Sequence, residues 1–246
     1  MRKFGLIGNP LSHSFSQTFF TAKFERLGED AVYNNYELES LDELKSVLRN
    51  EPELEGLNVT IPYKTSVIRH LDSISKEAKF VQAVNTIKIE RIGDTHRLTG
   101  YNTDVIGFKE SILPHLVGHS QALILGSGGA AKAAYHVLSD LDIECLCVSR
   151  NREIGDLTYR ELTPETVWEN SIIVNCTPVG MFPNVNDAPE IPYESITAEH
   201  LLFDMIYNPS ETVFLKMGRK RGATCINGLE MLQRQAEASW QIWNNG

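Results

Sequence analysis

Residues 123 to 131, LILGSGGAA, set three glycines between an apolar run and a run of alanines. These residue types suit one task, holding a pyrophosphate on backbone N–H groups. Leu123, Ile124 and Leu125 predict a buried strand. Gly126 admits a tight turn, and Gly128 lets the backbone approach a phosphate with no side chain in the way. Ser127, Gly129 and Ala130 complete the loop, and Ala131 stands where a third glycine often sits. A helix over 130–138 points its positive end at the phosphates. A second strand over 144–149 completes a βαβ unit. That strand ends in Val148-Ser149-Arg150-Asn151-Arg152, with no acid for a ribose 2′-OH and with two arginines instead. A guanidinium suits a 2′-phosphate, so the pattern predicts NADP rather than NAD.

Three further polar clusters fall where a strand ends and a helix begins. Asn58-Val59-Thr60-Ile61-Pro62-Tyr63-Lys64 has Lys64 as its only charge. A lysine at a sheet's carboxyl edge can donate to a substrate oxygen or transfer a proton. Gly100-Tyr101-Asn102-Thr103-Asp104 contains Asp104. If the two clusters share a cleft, Lys64 and Asp104 form an acid–base pair; otherwise Thr103 or Asp104 is a helix N-cap. Ser12 and Ser14 lie in Asn9-Pro10-Leu11-Ser12-His13-Ser14, and Ser14 with Gln17 matches a capping box. A helix N-terminus there attracts an anion such as a carboxylate. Asn85 and Gln235 interrupt apolar segments.

The elements that position these groups alternate. Strands are expected over 4–8, 32–38, 57–61, 172–176, 201–206 and 224–226. Helices are expected over 14–27, 41–49, 63–71, 105–116, 212–221 and 229–243, the first with Phe15, Phe19, Phe20, Phe24 and Leu27 near one face. Residues 84–90 and 97–101 read as a hairpin around Gly93-Asp94. Alternation of this kind implies an α/β fold with largely parallel sheets. About 100 residues precede the glycine loop, enough for a separate domain, and small-molecule sites favour the cleft between two domains.

Composition narrows the class. In 246 residues, 42% hydrophobic and 22% charged content are ordinary for a globular protein, and the net charge of −9 argues against general nucleic-acid binding. No apolar run reaches membrane-spanning length, and MRKFGLIGNP is too short in apolar residues for a signal peptide, so a cytoplasmic location is expected. Cys145, Cys147, Cys176 and Cys225 read as small buried hydrophobes. His115 and His119 lack metal-ligand context, and no metal is expected.

Taken together, the ordered blocks NPLSHSFS, NVTIPYK, AVNT, GYNTD, GSGGAAKA, NCTPVGM, FDMIYNP and GLEMLQRQA resemble the shikimate dehydrogenase family over almost the whole chain. The resemblance implies NADPH-dependent reduction of 3-dehydroshikimate to shikimate, on the route to chorismate and the aromatic amino acids. It implies a substrate domain over 1–101 plus about 228–246, and a Rossmann-type NADP domain over 102–227. The C-terminal helix would return to the first domain. Lys64 and Asp104 would be the catalytic pair, and Ser12 and Ser14 would hold the substrate carboxylate. Asn58, Thr60, Asn85 and Gln235 would hold ring hydroxyls, with Tyr207 nearby. Gly126 to Ala130, Ser149, Arg150, Asn151 and Thr177 would bind NADP, and Met205 and Gly228 would line the nicotinamide side. Ser149-Arg150-Asn151 departs from the family's Asn-Arg-Thr but keeps the arginine, and the chain ends soon after Trp243, which implies a shortened last helix. The expected assembly is a monomer or homodimer. The alternatives are a quinate/shikimate dehydrogenase of broader cofactor use and a non-catalytic NADP- or shikimate-binding sensor; a sensor would be marked by loss of Lys64 or Asp104, and both are present.

Overall fold

The computed structural model describes residues 1–11, 15–93 and 95–245. Ser12 and Ser14 lie outside them. The chain divides into two compact units, Met1–Thr103 with Ala236–Gly246, and Asp104–Gln235.

In the first unit β1 (Arg2–Gly8) is followed by α1 (Phe15–Leu27), β2 (Ala31–Glu37), α2 (Leu44–Asn50) and β3 (Leu54–Val59). Then come β4 (Ser73–Ile74), α3 (Lys76–Val81), β5 (Thr86–Ile92) and β6 (Thr95–Tyr101). The sheet order is β2-β1-β3-β5-β6-β4. β1 runs parallel to β2 and β3, whereas β3–β5 and β5–β6 are antiparallel, so this sheet is mixed. A capping box opens the 3-10 turn before α2, with the Ser40 hydroxyl accepting from Asp42 N–H and the Glu43 carboxylate accepting from Ser40 N–H. α1 buries Phe20, Lys23 and Phe24, and Phe20 stacks on Tyr33 at 4.7 Å. Leu27, expected on that face, is exposed.

The expected helix over 63–71 is not formed. Turns lead instead into a short 3-10 helix, Ser66–His70. The Lys64 carbonyl accepts from Val84 N–H at 2.7 Å, which removes it from a helical ladder. β4 and α3 were not expected from periodicity.

The second unit contains α4, which starts at the junction (Thr103–Ile112), β7 (Gln121–Leu125), α5 (Gly129–Ser139), β8 (Glu144–Ser149), β9 (Leu157–Thr158) and α6 (Pro164–Glu169). β10 (Ile172–Asn175), β11 (Leu201–Asp204), α7 (Val213–Lys220), β12 (Thr224–Ile226) and α8 (Leu229–Asn244) follow. All pairings are parallel, in the order β12-β11-β10-β7-β8-β9. This is the doubly wound arrangement, in which the winding reverses between β7 and β10. β10 and β11 are buried along their whole length, as a sheet covered on both faces requires.

α8 begins in the second unit, and its later residues belong to the first. Trp243 donates from Nε1 to the Ile87 carbonyl at 3.0 Å and stacks on Phe4 at 4.8 Å. A Cβ on Gly56 would come within 2.2 Å of that indole, so the strand beneath it must be glycine there. Lys23 pairs with Glu237 at 2.5 Å. The four cysteines are unpaired and partly buried, not fully buried as expected. No helix among the described residues is long and apolar enough to cross a membrane.

Candidate active site

The carboxyl ends of β7 and β10 flank the point where the winding reverses, and two of the expected cofactor residues meet there. Gly126 has φ +119°, a conformation that favours glycine, and a Cβ on it would sit 3.3 Å from both the Cys176 carbonyl and Thr177 Cγ2. Gly128 caps α5 with no side chain, and nothing lies within 4 Å of where its Cβ would be. The first turn of α5 carries no acid. Its N–H groups therefore present positive partial charge to open space, as a phosphate site requires.

The loop after β8 is tied to this one. Ser149 is buried; its hydroxyl accepts from Asn151 N–H at 3.2 Å and donates to Ser127 Oγ at 3.5 Å. The two arginines behave differently. Arg152 donates to the carbonyls of Gly155 and Asp156 and lies 3.6 Å from Glu161, so it holds its own loop. Arg150 is exposed, close enough to Tyr159 for its charge to favour the phenolate, and no carboxylate among the described residues pairs with it. An open helix N-terminus, a missing strand-end acid and one uncommitted guanidinium fit a 2′-phosphorylated dinucleotide.

Thr177 is fixed by a buried network that sequence reasoning missed. Asn175 Oδ1 accepts from Thr177 N–H at 3.1 Å and from its hydroxyl at 2.7 Å. Asn175 Nδ2 donates to Asp204 Oδ1 at 3.0 Å, and that oxygen also takes the Ile206 N–H at 3.0 Å. The Thr212 hydroxyl donates to Asp204 Oδ2 at 2.6 Å. Asp204 is fully buried. Desolvation pushes its carboxyl up to about 6, against the pull of these three donors. An acid closing the apolar run Leu201-Leu202-Phe203 was the available signal.

Met205 and Gly228 come together: a Cβ on Gly228 would lie 2.2 Å from the Met205 carbonyl oxygen, and Gly228 N–H donates to the Ile206 carbonyl at 3.0 Å. Tyr207 is exposed on the same loop. Gln235 lies on α8, mostly buried, and donates to the Leu232 carbonyl at 3.0 Å.

In the first unit the expected substrate residues gather at one edge of the sheet. Asn58, on β3, is buried and committed internally. Its Oδ1 accepts from the Tyr33 hydroxyl at 2.8 Å, and its Nδ2 lies at 3.2, 3.2 and 2.9 Å from Asn85 O, Thr86 Oγ1 and Ser239 Oγ. Asn85 Oδ1 accepts from Thr103 N–H at 2.7 Å and from its hydroxyl at 3.0 Å. The Asn85 amide Nδ2 has no acceptor among the described residues, so it is the donor this edge can offer a ligand. Thr60 follows β3; its N–H donates to the Ile7 carbonyl at 2.9 Å, and its methyl would lie 2.5 Å from a Cβ on Gly8. Lys64, half-buried, is held by its carbonyl to Val84 N–H, next to Asn85. Lys64 belongs to the first unit, and Asp104 is the first residue of the second. Asp104 and Thr103 lie inside the first turn of α4, so neither is its N-cap. Among the described residues no three His, Cys, Asp or Glu side chains converge as a metal would need.

A family model described as the shikimate dehydrogenase substrate binding domain matches residues 6–87. A shikimate dehydrogenase (NADP(+)) from Methanococcus maripaludis is 39% identical over 257 residues, covering 97% of this chain and 90% of that protein. The chain belongs to the shikimate dehydrogenase family. Its relative of the same name from Methanococcus vannielii is 37% identical over 262 residues, with the same shares covered. Among solved structures, the shikimate 5-dehydrogenase of Thermus thermophilus in complex with NADP(H) and shikimate superposes with a TM-score of 0.86 at 29% identity, over 100% of this chain and 94% of that one. Membership extends to both units, since these matches run well past the domain that the family model describes.

Proposed function

We propose that this chain catalyses the reversible, NADPH-dependent reduction of 3-dehydroshikimate to shikimate, with the first unit as the substrate domain and the second as the NADP domain. The observation that carries this is the pairing, within one family member, of an uncommitted Arg150 with a glycine loop at the reversal point of a doubly wound sheet. Backbone N–H groups from Gly126 to Ala130 hold the pyrophosphate, and Arg150, with Ser149 and Asn151, holds the adenosine phosphate. Thr177, Met205 and Gly228 line the nicotinamide side. NADPH, when bound, supplies the hydride to the ring ketone carbon.

Ser12 and Ser14 hold the carboxylate. Thr60, Asn85, Tyr207 and Gln235 take the ring oxygens. Asn58, whose donors are engaged inside the unit, orients Asn85 rather than a hydroxyl. Lys64 protonates or stabilises the developing alkoxide, and Asp104 orients the lysine and the substrate hydroxyl. The setting is the reducing cytoplasm, in keeping with four unpaired thiols.

A four-way assay at the reduced-nicotinamide absorbance band, shikimate or quinate with NADP+ or NAD+, tests this. Shikimate with NADP+ should be fastest, and Lys64→Ala should lower kcat by roughly 10²–10⁴-fold with a much smaller change in KM. Faster turnover of quinate, or a Lys64→Ala variant with normal kcat, would overturn it.

A further inference from the structure

Beside α2 the first unit opens a cavity of about 630 Å³, within the range of small-molecule sites. Lys45 and Arg49 reach it from α2, Arg69 and His70 from the 3-10 turn, and Arg91 and His96 from the β5–β6 hairpin. Asp72 is the one acid on this wall, and its carboxylate accepts from Leu98 N–H at 2.7 Å. The whole chain carries 32 acids against 23 lysines and arginines, so the cavity reverses the balance of the surface around it.

These cations also differ from others in the protein. Arg2, Lys3, Lys23, Arg219 and Arg234 each lie within ion-pair distance of a carboxylate. Among the described residues no carboxylate pairs with Lys45, Arg49, Arg69 or Arg91. Arg91 donates to the Pro52 carbonyl at 2.8 Å, and Arg69 donates from Nε to the His70 ring at 3.3 Å. Like charges gathered in one concavity repel each other and focus a positive potential into it. Three of them are arginines, whose planar forks match phosphate oxygens in bidentate fashion. They approach from three separate elements, so a ligand between them is contacted from several sides. Leu48 and Leu98 supply an apolar floor.

We propose that this cavity binds a small phosphate-bearing polyanion, at a site separate from the glycine loop of the second unit. Calorimetric titration of the full chain with inorganic tripolyphosphate tests it, with citrate as a polycarboxylate comparison. Tripolyphosphate should bind more tightly than citrate. Arg49→Gln on α2 and Arg69→Gln on the turn should each weaken it at least tenfold, and Arg150→Gln should leave it unchanged. Both substituted arginines are exposed, so melting temperatures should stay near wild type, and two variants on different elements guard against a local folding defect in either. Equal binding of citrate, or no binding of tripolyphosphate at millimolar concentration, overturns the proposal. So does binding lost in Arg150→Gln but kept in Arg49→Gln and Arg69→Gln.

Discussion

Asn85 clamps the start of α4: its side-chain oxygen accepts both the N–H and the hydroxyl of Thr103, at 2.7 and 3.0 Å. Asp104 is the next residue, so the same oxygen that orders the helix start fixes the backbone from which the proposed catalytic acid projects. Asn85→Ala leaves the buried Thr103 N–H without this acceptor, which should cost about 1–3 kcal/mol of stability. It should also lower kcat/KM for shikimate, because the free Nδ2 donor is lost with it. A urea midpoint equal to wild type would show that the clamp contributes nothing.

The two arginines after β8 should separate cleanly in kinetics. Charge-assisted hydrogen bonds to a 2′-phosphate are worth about 1.5–3 kcal/mol each. Wild type should therefore favour NADP+ over NAD+ by roughly tenfold or more in kcat/KM. Arg150→Ala should erase most of that ratio by hurting NADP+ alone. Arg152→Ala should leave the ratio intact, since Arg152 is engaged with Gly155, Asp156 and Glu161. Loss of the preference in Arg152→Ala instead would reverse the assignment.

Asp204 gives stability a pH dependence of defined sign. Its carboxyl is raised from 3.8 to about 6 on folding, so the folded state binds the proton more tightly than the unfolded state. The stability this contributes is complete below about pH 4 and is lost as the pH rises through about 6, a change on the order of 3 kcal/mol. Urea unfolding of wild type and Asp204→Asn at pH 4 to 7 should show the difference between them moving against wild type as the pH rises. A difference that stays flat, or moves the other way, would rule this out.

Gly228 tolerates no side chain. A Cβ 2.2 Å from the Met205 carbonyl oxygen meets backbone, not a flexible chain end. Gly228→Ala should destabilise by about 1–3 kcal/mol through forced shifts and raise KM for NADP+ more than KM for shikimate. Thermal melts and paired KM measurements would detect both effects, and a rise in the shikimate KM alone would place this contact on the substrate side.

The β7–α5–β8 unit is evident in the residues because strand, glycine turn and helix are contiguous and each leaves its own local pattern. The segment after Pro62 is not, because the bond that prevents its helix comes from Val84, outside any local window. β4, α3, β9 and α6 are too short to show a period. Among the site residues, Asn58 is given a ligand role only by the family resemblance, and its partners Tyr33 and Ser239, 25 and 181 positions away, leave no local pattern to read. Arg150 and Arg152 look alike in sequence; only the course of the loop decides which one turns back onto Gly155 and Asp156.

The return of α8 to the first unit sets an order of assembly during synthesis. Gly56 makes room for the Trp243 indole, and Asn58 and Thr86 hydrogen-bond to Ser239. These partners leave the ribosome only after the whole of Asp104–Gln235. At ordinary elongation rates that delay is on the order of ten seconds. The unit made first is therefore completed last. By the end of that interval the second unit has its full sheet available to fold, while β3 and β5 have waited throughout with a tryptophan-shaped gap and unmet polar groups, the stage at which a nascent chain would most depend on a chaperone.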